Sequence, residues 1–493
     1  MWDPQPDHAA AATLGDALRA AGYTGETIET LLGEEGAAAD AADVPVLERR
    51  LPATPTANAI RLLLLQRPLA LGDAEAALGR DGVDAFVRLG FGLAHDGELA
   101  PRARIVPTEG VLLAFDGFSQ GLEDPPGWVA SFTPTAYWLA SLTVRRRAER
   151  ALDIGTGNGA HALLAARHAG HVVATDVNPR ALAFTQISAA LNGIDNVETR
   201  LGSLFEPVAG ERFDLITCNA PYVISPERRW AYRDGGLEGD DFSRRVVGEA
   251  AAHLADGGFA SVLVSWLAES PDDPDEHVER WLDGSGCDAW ILGLSGADPL
   301  DHAAGWNDHL AASPDELGRA VDDWAGYLRT LGASWVSEGG VVLHRRPGRR
   351  HLVRADPVEE DDLEYAGEQL ERVFAAFELI AEEGDGVVDR LRLRLADDAR
   401  LIEEIDRDGD IRAATFRLEE GTWPELDVEP EVADVLLELG DGATLEEAVA
   451  ATGRGEPDGL RGAVLDLLEL GFFEIVSGRA RGPRRRRRTR PSR

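Results

Sequence analysis

The sequence predicts an α/β fold: a Rossmann-like, mostly parallel sheet of seven strands between mainly helical, winged-helix-like N- and C-terminal domains. Three observations predict it. Between about residues 131 and 350, short runs rich in Val, Ile and Leu alternate with helical segments, as in a sheet whose crossovers are helices. The first run ends in a glycine-rich turn, Asp153-Ile154-Gly155-Thr156-Gly157-Asn158-Gly159. On either side of this region the order helix, turn, helix, strand recurs. At 493 residues the chain is long enough for roughly two to four domains. The boundaries expected are 1–130, 131–350, 351–478 and a disordered Arg-rich tail, 479–493.

In the first flank, Leu71–Leu78 reads as a helix, Gly79-Arg80 as a turn, Asp81–Leu89 as a second helix and Gly90–Leu93 as the start of a strand. The central region opens with the strand Arg150–Ile154, the glycine turn and a helix over 160–169. His171–Val177 is the second strand, and Pro179 opens the next helix where its missing N–H costs nothing. Strands follow at Val197–Ser203, Phe213–Asn219, Gly258–Leu267 and Asp288–Leu294, with a helix over Asp275–Leu282. A helix over Pro314–Leu331 precedes a last strand near Gly340–His344. The second flank, 351–478, is acidic and reads as mostly helical. It ends with helices at Thr444–Ala450 and Leu460–Leu470, a turn at Gly453–Gly455 between them, and the strand Gly471–Ile475. A DNA-reading helix presents basic and amide side chains. Here the second helices carry Arg461 with Asp466 and Glu469, and Arg88 with Asp81 and Asp84, so both flanks read as structural or protein-contacting.

Composition narrows the function. Hydrophobic residues at 44% fill a core and exclude wholesale disorder, and two cysteines exclude a disulfide scaffold or a cysteine-rich zinc module, so no metal site is expected. The formal charge is −38, there is no lysine, and nine arginines fall in Arg479–Arg493, leaving −47 on residues 1–478. So acidic a body repels phosphate backbones. The Arg tail reads as a solubilising end, with an RNA or ribosome tether as the alternative. Met1-Trp2-Asp3-Pro4 does not open a signal peptide. The apolar stretch Gly258–Ala268 falls short of the ~20 residues of a membrane span, so a cytoplasmic protein is expected.

Ligands of such a sheet bind at the carboxyl ends of its strands. Asp153, Asp176, Ser203 and Asn219 stand at four consecutive ends. The glycines allow a tight turn and close approach to a ligand. Asp176 lies 23 residues after Asp153, where a carboxylate can accept both hydroxyls of a ribose. Asp153 is placed to hold a cationic amino-acid portion, directly or through water. In Asn219-Ala220-Pro221-Tyr222 the Asn219 oxygen and the Ala220 carbonyl can grip the two hydrogens of a planar NH₂ group, aiming its lone pair at an electrophile. Pro221 stiffens the turn and the Tyr222 ring offers a flat face. Read alone, the tetrapeptide is an ordinary Asn-x-Pro turn; its place after a buried strand beside a glycine loop gives it chemistry.

Together Asp153–Gly159, Asp176-Val177-Asn178-Pro179, Gly202-Ser203-Leu204-Phe205 and Asn219–Tyr222 resemble class I S-adenosylmethionine-dependent methyltransferases, nearest the HemK/PrmC type that methylates the glutamine amide of translation release factors. Tyr232–Gly239 with Phe242–Arg245 resembles a further segment of that family, and the resemblance covers roughly 131–350. It implies S-adenosyl-L-methionine as cofactor. Gly155, Gly157 and Gly159 would line its methionine part, with Asp153 near it, Asp176 would take its ribose, and the turn with Ser203 and Leu204 would sit by its adenine; Thr156, Asn158 and Val177 are further cofactor-binding candidates. Asn219, Ala220, Pro221 and Tyr222 would hold the acceptor, with Asn219 also beside the cofactor. Ala220 stands where the family usually has proline, and Ser203 where it often has aspartate. A proline-containing segment covers the pocket in the family, which makes Phe132 and Thr135 pocket candidates; the alternative for Thr135 is a helix cap.

His161 and Cys218 read as packed residues. Arg228, Arg229, Trp230, Tyr232 and Arg233 form a basic aromatic loop facing an RNA base or an acidic protein surface, with Trp230 a pocket candidate. Trp306–His309 is a candidate cap of the cleft. The function expected is N-methylation of a planar NH₂ group, first of a protein glutamine amide on a translation-factor-like partner. The alternatives are adenine N6 or guanine N2 in RNA or DNA, or a non-catalytic cofactor-binding scaffold.

Overall fold

The computed structural model describes residues 2–33, 36, 40–119, 125, 127–227, 237–272, 274–348 and 351–476. Trp230, its neighbours in the basic loop and the Arg tail lie outside the described residues. The chain divides into two compact units: 1–140 with 145–345 and 354–357, and 141–144 with 346–353 and 358–493. Residues 1–130, read from sequence as a domain apart, thus share one unit with the sheet.

The sheet of the first unit has strands β1 (Ala148–Ile154), β2 (Ala169–Asp176), β3 (Val197–Leu201), β4 (Phe213–Cys218), β5 (Leu254–Ala268), β6 (Cys287–Ala297), β7 (Trp335–Arg345) and β8 (Val353–Pro357). Their order is β8-β6-β7-β5-β4-β1-β2-β3. The seven expected strands are present, and β8 adds an eighth at one edge. Strands β3-β2-β1-β4-β5 are mutually parallel, whereas β7 runs antiparallel to both β5 and β6. The chain passes from β1 outward to β3 and then returns to β4 on the other side of β1. The switch point therefore lies between β1 and β4, where Ile154 pairs with Cys218.

One sheet face is covered by α2 (Ala160–Ala166) and α3 (Pro179–Leu191), which follow α1 (Pro134–Ser141) in the chain. Asn178 caps α3 by accepting from Arg180 N–H at 3.0 Å, with Pro179 in its first turn. Leu163, Phe184, Ile187 and Leu191 on this face join a continuous core with residues 10–115. The helix His8–Ala20 packs so closely on α3 that a Cβ at Gly15 would lie 2.1 Å from the Leu191 carbonyl oxygen. The opposite face is covered by α4 (Asp241–His253) and the turns over 276–282, with Val246, Val247, Ala250 and Val278 in the core.

Within residues 1–116, Leu71–Arg88 is broken into two helical pieces at Gly79, whose φ is 71°. The hairpin Gly92–His95/Glu98–Pro101 follows, and Leu69–Ala70 pairs with its second strand. A second hairpin, Ala103–Thr108/Val111–Asp116, turns at Glu109-Gly110, both with positive φ.

The second unit corrects the reading of a mostly helical flank. Ala399–Ile405, Ile411–Leu418 and Glu425–Val428 form a three-stranded antiparallel sheet. The expected closing elements are present as Leu445–Thr452, Pro457–Glu469 and Phe473–Ile475, the last pairing with Leu393–Leu395. Thr444 and Glu447 make a reciprocal capping box on the first of these helices.

Candidate active site

The four expected strand ends do converge. Gly155, Gly157 and Gly159 follow β1 with φ of 66°, 57° and 89°, the left-handed region that glycine enters at little cost. A Cβ at Gly155 would lie 3.4 Å from Ala220 Cα and 3.5 Å from its Cβ. The glycine turn and the Asn219–Tyr222 segment are thus in van der Waals reach across the switch point. At Gly157 an added Cβ would meet nothing nearer than 3.9 Å, so this corner of the loop is open.

Asp176 ties the two turns together. One oxygen accepts from Gly157 N–H at 3.0 Å and the other from Asn178 N–H at 2.8 Å. Each oxygen keeps a second lone pair, which is what a pair of ribose hydroxyls requires. Burial holds its pKa above the ordinary carboxylate value. Val177, next in the chain, is 57% exposed, an apolar side chain at the edge where a flat ring would lie. Ser203 and Leu204 sit in the turn after β3, Leu204 with φ of 46°. That turn is held by Gly202 N–H on the Asp176 carbonyl at 3.0 Å.

Asp153 stands at the base of the glycine turn. It is 1% exposed and accepts from the hydroxyls of Thr156 at 2.7 Å and Thr217 at 2.9 Å, one on each oxygen. It holds the loop from behind, and burial pushes its pKa up to about 6. Thr156 and Asn158 are likewise braces: both are buried, and Asn158 donates to the Ala130 carbonyl at 3.0 Å and accepts from Ala160 N–H.

Asn219 Nδ2 donates to Thr135 Oγ1 at 3.4 Å, and among the described residues its Oδ1 accepts no hydrogen bond. The cap of α1 is Thr133, whose hydroxyl takes Ala136 N–H at 3.3 Å, so Thr135 is not the cap and reaches Asn219 instead. Phe132 is half-buried with its ring 6.2 Å from that of His161. Tyr222 is 8% exposed, and its carbonyl accepts from Ser265 on β5 at 2.8 Å. Two residues on, the Ile224 carbonyl contacts His302 Nε2 at 3.2 Å. The chain between β6 and β7, with helices Pro299–Trp306 and Pro314–Thr330, leaves and rejoins the sheet at this edge. Its Trp324 packs with Val223 and lies 3.5 Å from Glu227.

His161 and Cys218 are buried, as expected of packed residues: burial holds the imidazole neutral, its pKa down to about 4, and pushes the thiol up to about 12. Sequence reasoning missed Thr217, Ser265 and His302, and gave Asn178 no contact of its own. The cap role of Asn178 was readable from the Asn178-Pro179 pair; Thr217, Ser265 and His302 act across chain separations of more than forty residues.

Among the described residues no group of three or more His, Cys, Asp or Glu could hold a metal ion, and no helix is long and apolar enough to cross a membrane. The residues fit a nucleoside cofactor with an amino-acid tail: an open glycine corner, a carboxylate with spare lone pairs and an exposed apolar side chain.

Comparison with known proteins agrees. A methyltransferase-domain family matches residues 146–262, and a domain family of unknown function matches 20–103. The chain is 33% identical over 168 residues to the ribosomal protein uL3 glutamine methyltransferase of Bradyrhizobium diazoefficiens, covering 30% of this chain and 51% of that protein. It is 40% identical over 133 residues to the release factor glutamine methyltransferase of Geobacter sulfurreducens, covering 24% and 46%, and 40% identical over 141 residues to that of Deinococcus radiodurans, covering 25% and 50%. The chain spans about half the length of the curated relatives it matches. Residues 146–262 thus match a methyltransferase-domain family and are similar in sequence to glutamine methyltransferases of ribosomal protein uL3 and of release factors.

Proposed function

We propose that this chain is an S-adenosylmethionine-dependent N-methyltransferase whose acceptor is the side-chain amide of a glutamine in a protein. The observation that carries the reading is the contact of Gly155 with Ala220, which opens the glycine turn and Asn219 onto one edge of the sheet. When bound, S-adenosylmethionine supplies an electrophilic methyl group on a sulfonium. The Gly155–Gly159 turn would lie along its methionine part, Asp176 would accept from the ribose hydroxyls, and Val177 with the Ser203-Leu204 turn would border the adenine.

An amide nitrogen is a weak nucleophile because its lone pair is delocalised into the carbonyl. The Asn219 Oδ1 and the Ala220 carbonyl would each accept one N–H, which fixes the NH₂ plane and turns its remaining density toward the cofactor side. Pro221 fixes the turn, and the Ser265 and His302 contacts hold the backbone that leaves it. The nitrogen becomes acidic once alkylated, so its proton can pass to water after transfer. Orientation and exclusion of water do most of the work.

Protein is favoured over nucleic acid by charge. The insertion between β6 and β7 exposes Asp298, Asp301, Asp308, Asp315, Glu316, Asp322 and Asp323 against two exposed arginines, Arg319 and Arg329. The arginines on the two candidate reading helices, Arg88 and Arg461, are ion-paired with Asp7 and Asp389. A surface of this sign repels phosphates and accepts a cationic peptide segment. The relatives' names add that those proteins act on uL3 or release factors. Incubation of the protein with methyl-labelled cofactor and cell extract, followed by protease or nuclease, tests the reading. Label lost to protease supports it, and label lost to nuclease overturns the choice of substrate.

A further inference from the structure

Residues 127–130 form a strap across the candidate cofactor edge. The Gly127 carbonyl accepts from Asn178 Nδ2 at 3.1 Å, in the turn after β2, and the Ala130 carbonyl accepts from Asn158 Nδ2 at 3.0 Å, in the turn after β1. Between these two points, Val129 is bound in both directions by one residue of the N-terminal segment. Val129 N–H donates to Asp116 Oδ2 at 2.8 Å, and Asp116 N–H donates to the Val129 carbonyl at 3.2 Å.

Asp116 ends the hairpin Ala103–Thr108/Val111–Asp116 and is itself gripped from the sheet side. Arg180 Nε donates to Asp116 Oδ2 at 3.0 Å and Nη2 to Oδ1, and the side chains are 5% and 7% exposed. Arg180 stands in the first turn of α3, two residues after Asn178 and four after Asp176. Its guanidinium carbon lies 4.4 Å from the centroid of the Trp2 ring, and Nη1 donates to the Trp2 carbonyl. Trp2 in turn packs edge-on against Phe91 and Phe184 at 6.0 Å. The strap, the ribose-side turn and the N-terminal segment thus meet at one buried ion pair. Such a pair returns little stability, because desolvation offsets its attraction; what it provides is a fixed geometry.

We propose that the N-terminal segment, 1–116, works in cis as the anchor of this strap, with Asp116 and Arg180 as positioning residues that set cofactor affinity without touching the cofactor. The inference rests on the cofactor reading of the site; of residues 20–103, which match a domain family of unknown function, Phe91 takes part through its packing on Trp2.

The test replaces the pair by apolar residues of similar size, Asp116→Leu with Arg180→Met, since removal of one partner alone strands a buried charge and risks unfolding. Two quantities are read in the full-length chain: amide hydrogen exchange of residues 127–130 without ligand, and the Kd for S-adenosylmethionine by calorimetry. A strap that is ordered for only a tenth of the time weakens the apparent affinity about tenfold. The expected result is a folded variant with faster exchange over 127–130 and a Kd raised about tenfold. Wild-type exchange and a Kd within twofold of wild type in the double variant overturn the anchoring role. Absence of cofactor binding by the wild-type chain overturns the cofactor reading instead.

Discussion

Replacing Asp153 with asparagine should stabilise the protein at neutral pH, by an amount that follows from its burial. The carboxyl group loses its proton at 3.8 ordinarily and at about 6 when folded, chiefly because burial disfavours its charge. Between those values the folded state holds a proton that the unfolded state has released, so stability falls as pH rises, and the loss is complete above about 6. At roughly 1.4 kcal/mol per pH unit the loss is about 3 kcal/mol. Asparagine keeps an oxygen for one threonine hydroxyl and offers an N–H to the oxygen of the other, so the loop keeps its brace. His161 and His302 are buried neutral, held near 4, and lend stability that rises over nearly the same range; they do so in both proteins and cancel in the difference. Urea unfolding of wild type and Asp153→Asn at pH 4, 5, 6 and 7 measures it. The variant should gain roughly 2 kcal/mol on wild type from pH 4 to pH 7, the rest of the difference lying below pH 4. Parallel stability profiles for the two proteins would refute the burial argument.

Asn219→Ala should lower methyl transfer by about a hundredfold or more while S-adenosylmethionine affinity stays within about threefold, since one of two grips on the NH₂ group is lost; single-turnover rates with calorimetry check both. Gly159→Ala places a Cβ 2.9 Å from Thr185 Cγ2 at a φ of 89°. It should cost about 1–3 kcal/mol of stability and weaken cofactor binding, read by urea titration and calorimetry. Cys218 and Cys287 are buried, their thiols pushed up to about 12 and about 11. Ellman's reagent at pH 8 should therefore find neither in the native protein and both after denaturation.

The strand ends were legible because each buried run stops at a residue type that serves no core: Asp153 and Asp176 at glycine or proline turns, Asn219 before Ala220-Pro221. The direction Asp153 faces was not legible. It is set by Thr217, its neighbour across β1 and β4, and register between strands 64 residues apart leaves no local signal. The sheet over 399–428 was missed for a different reason. Residues 402–405 are exposed and carry two adjacent glutamates, so period-two alternation is lost there, and the hairpin is marked by the Asp408-Gly409 turn, with Gly409 at a φ of 92°. Val129 and Asp116 could not be linked in advance, because their pairing depends on where residues 1–116 pack.

The account turns on whether a glutamine amide is methylated at the edge shared by Gly155 and Asn219. A protein target labelled from methyl-tritiated cofactor, isolated and hydrolysed in acid, reports this directly. Methylation at the amide nitrogen releases the label as volatile methylamine, and Asn219→Ala should abolish that release. Label that stays on a non-volatile amino acid, or that is carried on a purine base, contradicts the account.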